Sequence, residues 1–354
     1  MKADFTKKLI KWNRDTNTRA MPWKGEKDPY KIWLSEIILQ QTRVEQGLAY
    51  YERFIKAFPT VQQLARAPEQ KVFKLWEGLG YYTRCKNLIA TAKYISKELG
   101  GVFPNHYEDI LALKGIGPYT AAAIASFAFQ LPHAVLDGNV FRVLSRYFGI
   151  STPIDSTEGK QLYATMAKEL LDAQQPGLYN QAIMDFGATV CKPQQPLCSQ
   201  CVQKADCQAF LHGWVDQLPV KEKQLKRRTR WLYYFIVRIG DEVLVRKRGA
   251  KDIWENLYEF VLFENEALFM PDESTFKAIF ERWSGDIPVT VRSVSPEFRQ
   301  QLTHQTISGH FIVIEIPSLP PGLNGYERVK WAALKKYPFP RFITSYLQKT
   351  AGVL

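Results

Sequence analysis

Two carboxyls and four thiols are the side chains of this 354-residue chain whose settings point to chemistry. Glu36 is the only acid in the run Tyr30 to Thr42, YKIWLSEIILQQT. Ile32, Trp33, Leu34, Ile37, Ile38 and Leu39 make that run apolar nearly all round, the pattern of a buried helix. Burial disfavours a charged carboxyl and raises its pKa, as a general acid near neutral pH requires. A structural ion pair explains a buried Glu equally well. Asp137, in Asp137-Gly138-Asn139, stands where a helix begins. There the helix dipole favours negative charge and is expected to lower the pKa. Two carboxyls driven apart in pKa make an acid and an anionic stabiliser, although an isolated Asp at this place is an ordinary N-cap. Cys191, Cys198, Cys201 and Cys207 follow the spacing C-x6-C-x2-C-x5-C with no His among them. Four cysteines in one short loop are a metal signature, and by ligand type a zinc site and a [4Fe–4S] cluster both fit.

These groups need elements to hold them. The stretch Leu113 to Asn139, LKGIGPYTAAAIASFAFQLPHAVLDGN, opens with a turn containing Gly115 and Gly117. Pro118 stands at a first helical position, and an Ala-rich helix runs from Thr120 to Phe129. A Gly-x-Gly turn before a helix exposes unpaired backbone N–H groups, which suits a phosphate. Apolar helices on both sides make it a helix-hairpin-helix candidate, a DNA grip without sequence preference. Periodicity predicts further helices at about 4–22, 30–42, 44–57, 61–66, 69–77, 84–98 and 107–113, and from 139 to 190 with a break at Ser151-Thr152-Pro153. Gln40-Gln41-Thr42 and Gly78-Leu79-Gly80-Tyr81-Tyr82 place amide and aromatic groups at loop tips, where such groups can wedge into a base stack. Ordinary helix-end polar residues and a packed Tyr pair are the plainer reading. Lys192 and Lys204 put positive charge beside the cysteines.

The first 210 or so residues thus read as all-α. Val220 to Arg230, VKEKQLKRRTR, is a basic linker. From Trp231 the pattern is β: WLYYFIVR, a Gly240-Asp241 turn and EVLVRKR make a hairpin. Strands are expected at Val289–Val294, Glu297–Thr303 and His310–Glu315, with helices near 274–283 and 340–349. This second domain is α+β. The formal net charge of +12 suits a polyanionic partner, nucleic acid before membrane. The N-terminal residues MKADFTKKLIKW do not read as a secretory signal, and no apolar run reaches transmembrane length. Five cysteines, four clustered and Cys85 alone, indicate a reducing compartment, the cytoplasm, rather than a disulfide framework.

The helix PYKIWLSEIILQQT, the loop GLGYYTRCKNL, the hairpin LKGIGPYTAAAI, LDGNVFRVLSR and the cysteine loop, in this order, resemble the MutY family of adenine DNA glycosylases. That family lies within the helix-hairpin-helix superfamily that includes endonuclease III. The resemblance implies a multidomain chain. Residues 1–216 would form an all-α helix-hairpin-helix catalytic region with a [4Fe–4S] loop at 191–207. Residues 217–230 would be a linker, and 231–354 a NUDIX-like recognition domain. It further implies removal of adenine mispaired with 8-oxoguanine or guanine in double-stranded DNA, by a monomer without membrane attachment. Glu36 would protonate the adenine at N7, Asp137 would stabilise the charge developing on the sugar, and Asn139 would orient Asp137 and water. Tyr119 stands where bifunctional relatives carry a Schiff-base lysine, so the reaction would stop at an abasic site. Trp23 and Lys24 would line the adenine pocket, and Gln41 and Tyr81 would wedge around the oxidised guanine. The four cysteines would hold the cluster. The family's Phe-Ser-His triplet appears here as Leu302-Thr303-His304, so lesion contact would fall to Thr303 and His304. No acidic NUDIX motif follows Glu264, which argues against a second hydrolase site. A glycosylase for another base, or an iron–sulfur DNA-binding protein without catalysis, are the competing readings.

Overall fold

In a computed structural model, residues 2–222, 228–250, 252–266 and 272–350 are described. The middle of the basic linker, 223–227, lies outside them. The chain forms two compact units: Met1–Arg66 with Asn87–Gln224, and Ala67–Lys86 with Leu225–Leu354.

The first unit is helical. Its buried helix is Pro29–Leu39, started by Asp28, whose side chain accepts from Tyr30 N, and by Pro29 at the first position. Eight of its residues are buried, Glu36 among them, so apolar sequence all round does mean burial all round. The helix stops at Leu39, short of the expected Thr42, because Gln41 takes a left-handed φ of 56°. The helix Pro118–Phe129 buries Thr120 through Ser126; alanines let neighbouring helices approach. It ends on Gln130 at φ 53°, and the helix Gly138–Phe148 ends on Gly149 at φ 68°. Helices Gly138–Phe148 and Pro176–Thr189 share a core with the first helix through Phe5, Leu9, Val143, Tyr147, Tyr179 and Phe186. The first helix, Lys2–Asp15, is shorter than the expected 4–22. Thr16 N and Asn17 N both turn onto Trp12 O, and the Asn17 side chain bonds Asn13 Oδ1 and Asp185 Oδ2. A residue whose amide competes with the backbone ends helices, and the chain beyond it becomes a loop.

The hairpin turn sits between helices Tyr107–Ala112 and Pro118–Phe129. Leu113 and Ile116 are buried, and Thr91 Oγ1 donates to Lys114 O at 2.8 Å. Gly115 has φ 81°, and a Cβ there would lie 2.6 Å from Asn87 Cβ, so glycine is required. Gly117 has an ordinary φ of −97°, and a Cβ would meet nothing within 4 Å.

Among the described residues the second unit is built on a nine-stranded sheet. The central strand β1 is Arg228–Ile239, paired antiparallel with β2, Glu242–Lys247, across the expected turn. Short β3, Tyr258–Glu259, pairs with β2, and β4, Val261–Asn265, pairs antiparallel with β1. On the other edge β1 runs parallel to β7, Gln305–Gly309, and β8, Phe311–Glu315. Strand β5, Thr290–Val294, lies on β8; β6, Phe298–Gln301, on β7; and β9, Glu327–Lys330, on β2. Both faces of β1 are covered. Phe235 packs on Phe276 and Phe280 of the helix Glu273–Ser284, while Tyr234 packs on Phe342 of the helix Arg341–Lys349. Burial on both sides explains why LYYFIV does not alternate. Strands β3, β4, β7 and β9 are additional to those expected from sequence.

Candidate active site

One cavity of about 880 Å³ in the first unit gathers Glu36, Tyr119, Asp137 and Asn139, together with Trp23, Lys24 and Gln41. The helix Pro29–Leu39 supplies Glu36, the start of Pro118–Phe129 supplies Tyr119, and the start of Gly138–Phe148 supplies Asp137 and Asn139. Residues spread over more than a hundred positions thus meet through three buried helices.

Burial pushes the Glu36 carboxyl up to about 7. A hydrogen bond from the Tyr119 hydroxyl works against that rise, and the negative charge of Asp137 adds to it. The same hydroxyl lies 3.4 Å from Met184 Sδ, and burial holds its own ionisation well above the usual phenol range. Asp137 Oδ1 accepts from Asn139 N at 2.9 Å and Val140 N at 2.8 Å, and its Oδ2 accepts from Asn139 Nδ2 at 2.7 Å. The expected lowering of its pKa is not met. Burial raises it, outweighing those three bonds and the nearby Arg142 charge. The cap is too deep for the dipole to win. The two carboxyls still differ in their supply of donors: three N–H groups meet the Asp137 anion, and one hydroxyl meets that of Glu36. Such a pair can hold one proton on Glu36 and one negative charge on Asp137.

Asn139 is itself held. Arg142 Nη2 donates to Asn139 Oδ1 at 2.8 Å and to Gly187 O at 2.6 Å, and Nε donates to Cys191 O at 2.7 Å. One turn on, Arg146 donates to Leu218 O, Lys192 O and Pro193 O, with Nη1 3.6 Å from Cys191 Sγ. Cys191, Cys198, Cys201 and Cys207 are all free thiols lining one small cavity of about 30 Å³ beside Arg146. Among the described residues no three His, Cys, Asp or Glu side chains are grouped to hold a single metal ion. Four soft donors around one hollow nevertheless fit a polynuclear cluster.

Arg19 and Gln181 in the cavity wall, and Arg142, Arg146 and Asp185 behind it, are neighbours that motif spacing does not reveal. The signal was present for two of them: Arg142 and Arg146 fall on the buried face of their helix at i+3 and i+7 from Asn139. Gly115 and Gly117 are not in the cavity wall. In the second unit, the Tyr81 and Thr303 hydroxyls are hydrogen-bonded to each other, with Tyr81 at φ 49° and both side chains exposed. His304 is exposed beside them, its carbonyl accepting from Arg228 N. No helix among the described residues is long and apolar enough to cross a membrane.

Residues 34–170 match the HhH-GPD superfamily of base excision DNA repair proteins, and residues 233–349 match the NUDIX domain. The chain is 34% identical over 307 residues to an adenine DNA glycosylase of Buchnera aphidicola subsp. Baizongia pistaciae, covering 86% of this chain and 84% of that one. It is 42% identical over 223 residues to the human adenine DNA glycosylase, covering 60% of this chain and 41% of that one. Among solved structures, a thermostable thymine-DNA glycosylase aligns with a TM-score of 0.55 at 27% identity, over 59% of this chain and 96% of that one. A non-covalent endonuclease III–DNA complex aligns at 0.52 and 17% identity, over 60% and 97%, a likeness of fold alone.

Proposed function

The chain belongs to the adenine DNA glycosylase family, and from that premise we propose that its substrate is duplex DNA in which adenine stands opposite 8-oxoguanine or guanine. The observation that carries the proposal is the cavity in which Glu36, lifted to about 7, shares a wall with the capped carboxylate of Asp137. Glu36 gives its proton to N7 of the flipped adenine. The N-glycosidic electron pair leaves with the base, and Asp137 faces the positive charge left on the sugar. Water adds to the sugar carbon and loses a proton to the Glu36 carboxylate. Asn139 holds Asp137 and the water in line. Tyr119 offers a phenol where an amine would be needed for strand cleavage, so the product is an abasic site. Trp23 and Lys24 line the pocket for the base.

Gly117 supports a phosphate grip at the hairpin, because neither its φ nor any steric neighbour requires a glycine there. Gln41 and Tyr81, each with a left-handed backbone, are suited to wedge into the stack around the oxidised guanine. The second unit carries lesion recognition through Thr303 and His304. Residues 1–216 are assigned as catalytic, 217–230 as linker and 231–354 as recognition domain. Cys191, Cys198, Cys201 and Cys207 would hold a [4Fe–4S] cluster, which would cross-link the loop 191–207. The protein acts as a cytoplasmic monomer.

A single-turnover assay on a duplex with adenine opposite 8-oxoguanine, then alkali, tests this reading. Strand breaks are expected on the adenine strand and only after alkali. Breaks before alkali would indicate a lyase, and intact strands after alkali would remove the adenine reading.

A further inference from the structure

The loop that leads into helix Tyr82–Glu98 is braced by an arginine that none of these steps uses. Gly78, Gly80 and Tyr81 all take a left-handed φ, of 90°, 80° and 49°. Glycine does so freely and tyrosine does not. Such a turn persists only with support from its surroundings. The Gly80 carbonyl receives that support twice: Trp76 Nε1 donates to it at 3.0 Å and Arg84 Nη2 at 3.3 Å. Trp76 is fully buried, and the Arg84 guanidinium lies over its ring, 5.3 Å from the centre. The same guanidinium lies over the Tyr81 ring, 5.5 Å from the centre. Arg84 thus joins a buried tryptophan, the carbonyl of the turn and a tyrosine that is 41% exposed.

Helix formation does not account for this arginine. It stands in the first turn of its helix, where the dipole disfavours a cation and where no acidic residue stands. Burial pulls its pKa down to about 10, which still keeps the charge at neutral pH. The groups it touches account for its place. The Tyr81 hydroxyl is bonded to Thr303. That bond fixes the far end of the side chain but not the ring plane, because the hydroxyl oxygen lies on the axis about which the ring turns. A cation against the ring face fixes the plane, since the face is the negative side of the ring. For a ring that enters a base stack the plane decides the fit, because stacking needs it parallel to the bases.

We propose that Arg84 is a positioning residue for lesion reading. Held between Trp76 and Tyr81, it sets the plane in which the Tyr81 ring meets the base stack beside the oxidised guanine. The inference deepens the wedge role given to Tyr81 above and rests on it.

Two measurements test it. One is the ratio of single-turnover excision rates for adenine opposite 8-oxoguanine and opposite guanine. The other is the fluorescence of 2-aminopurine placed next to 8-oxoguanine in the duplex, which responds when its stacked neighbour is lost. Tyr81→Leu, which has no ring, tests the premise. A ratio and a fluorescence response equal to the wild type's would remove the wedge, and the proposal with it. Arg84→Lys keeps the charge but has no planar face to lie between two rings. It is expected to lower the preference for 8-oxoguanine about fivefold and to weaken the fluorescence response. In a Tyr81→Phe background the same substitution should cost as much, because the ring remains. In a Tyr81→Leu background it should cost no further preference. An unchanged ratio and fluorescence in Arg84→Lys, whether or not both rates slow, would reduce Arg84 to a structural tie or a plain phosphate contact. That outcome, or losses that add in the Tyr81→Leu background, would overturn the proposal.

Discussion

The Glu36 carboxyl holds its proton more tightly in the folded chain, at about 7, than in an unfolded one, at roughly 4.3. Below the unfolded value both states are protonated and nothing is lost. As pH rises from there through 7, the unfolded chain ionises first and the fold loses stability, by about 4 kcal/mol in all. Glu36→Gln should therefore abolish excision yet raise the unfolding temperature at pH 8. Thermal melts should show that gain shrinking below about pH 5. A variant less stable than the wild type at pH 8 would refute the buried-acid assignment. The same pKa governs rate: a general acid must be protonated, so single-turnover excision should fall about tenfold per unit above pH 7. Tyr119→Phe removes the donor that steadies the Glu36 anion, so the falling limb should move to higher pH. A limb that stays put or moves down would contradict the hydrogen bond. The isolated acid in an apolar run marked Glu36 as a buried carboxyl, with a structural ion pair as the equal alternative. Asp185 has the same signature in AIMDFGA but belongs to no recognised motif. The direction of the Asp137 shift was not legible, because a capping position announces the dipole and not the depth of burial.

At the scale of elements, the helix Gly138–Phe148 joins the proposed reaction centre to the cysteine loop. Its N-cap is Asp137, its first turn holds Asn139, and the arginines one and two turns on fasten to carbonyls at 187 and 191–193. Arg142→Gln cannot span Asn139 and both the Gly187 and Cys191 carbonyls. Stranding buried acceptors should cost about 3 kcal/mol in urea unfolding. With Asn139 released, the single-turnover rate should drop about tenfold even well below the melting temperature. Full activity with lost stability would reduce Arg142 to a purely structural tie. Helices were largely legible because each buries one face, and period 3.6 records that face. Strands β4 and β7 were not. Val261–Asn265 is bounded by no strong turn signal, and Gln305–Gly309, QTISG, is nearly free of large apolar residues although four of its five residues are buried. It qualifies as a strand because β1 and β6 lie on either side of it, a fact of tertiary pairing.

At the scale of the whole chain, residues 67–86 belong in packing to a unit whose other residues begin about 140 positions later. Periodicity shows a helix and a glycine loop there, but no local signal says what covers them. The ties are specific. Lys74 Nζ donates to Tyr337 O at 3.0 Å, Glu77 Oε1 accepts from Phe339 N at 2.8 Å, Lys86 pairs with Glu255, and the Tyr81 hydroxyl bonds Thr303. Within that unit Tyr81, the proposed wedge, and Thr303, the proposed lesion contact, are therefore one structural feature. A chain ending at Glu222 would keep every residue of the cavity, yet remove Tyr337 O from Lys74, Phe339 N from Glu77, Thr303 from Tyr81 and Glu255 from Lys86. Such a chain is expected to melt at a lower temperature and still excise adenine. Its preference for 8-oxoguanine over guanine in the opposite strand should shrink, more than in Thr303→Ala, because Tyr81 loses its whole setting rather than one bond. Competition between the two duplexes under single-turnover conditions reads the preference directly. A shortened chain with both its melting temperature and its preference intact would mean that the segment 67–86 stands without the sheet, and lesion reading would then have to be sought in the first unit.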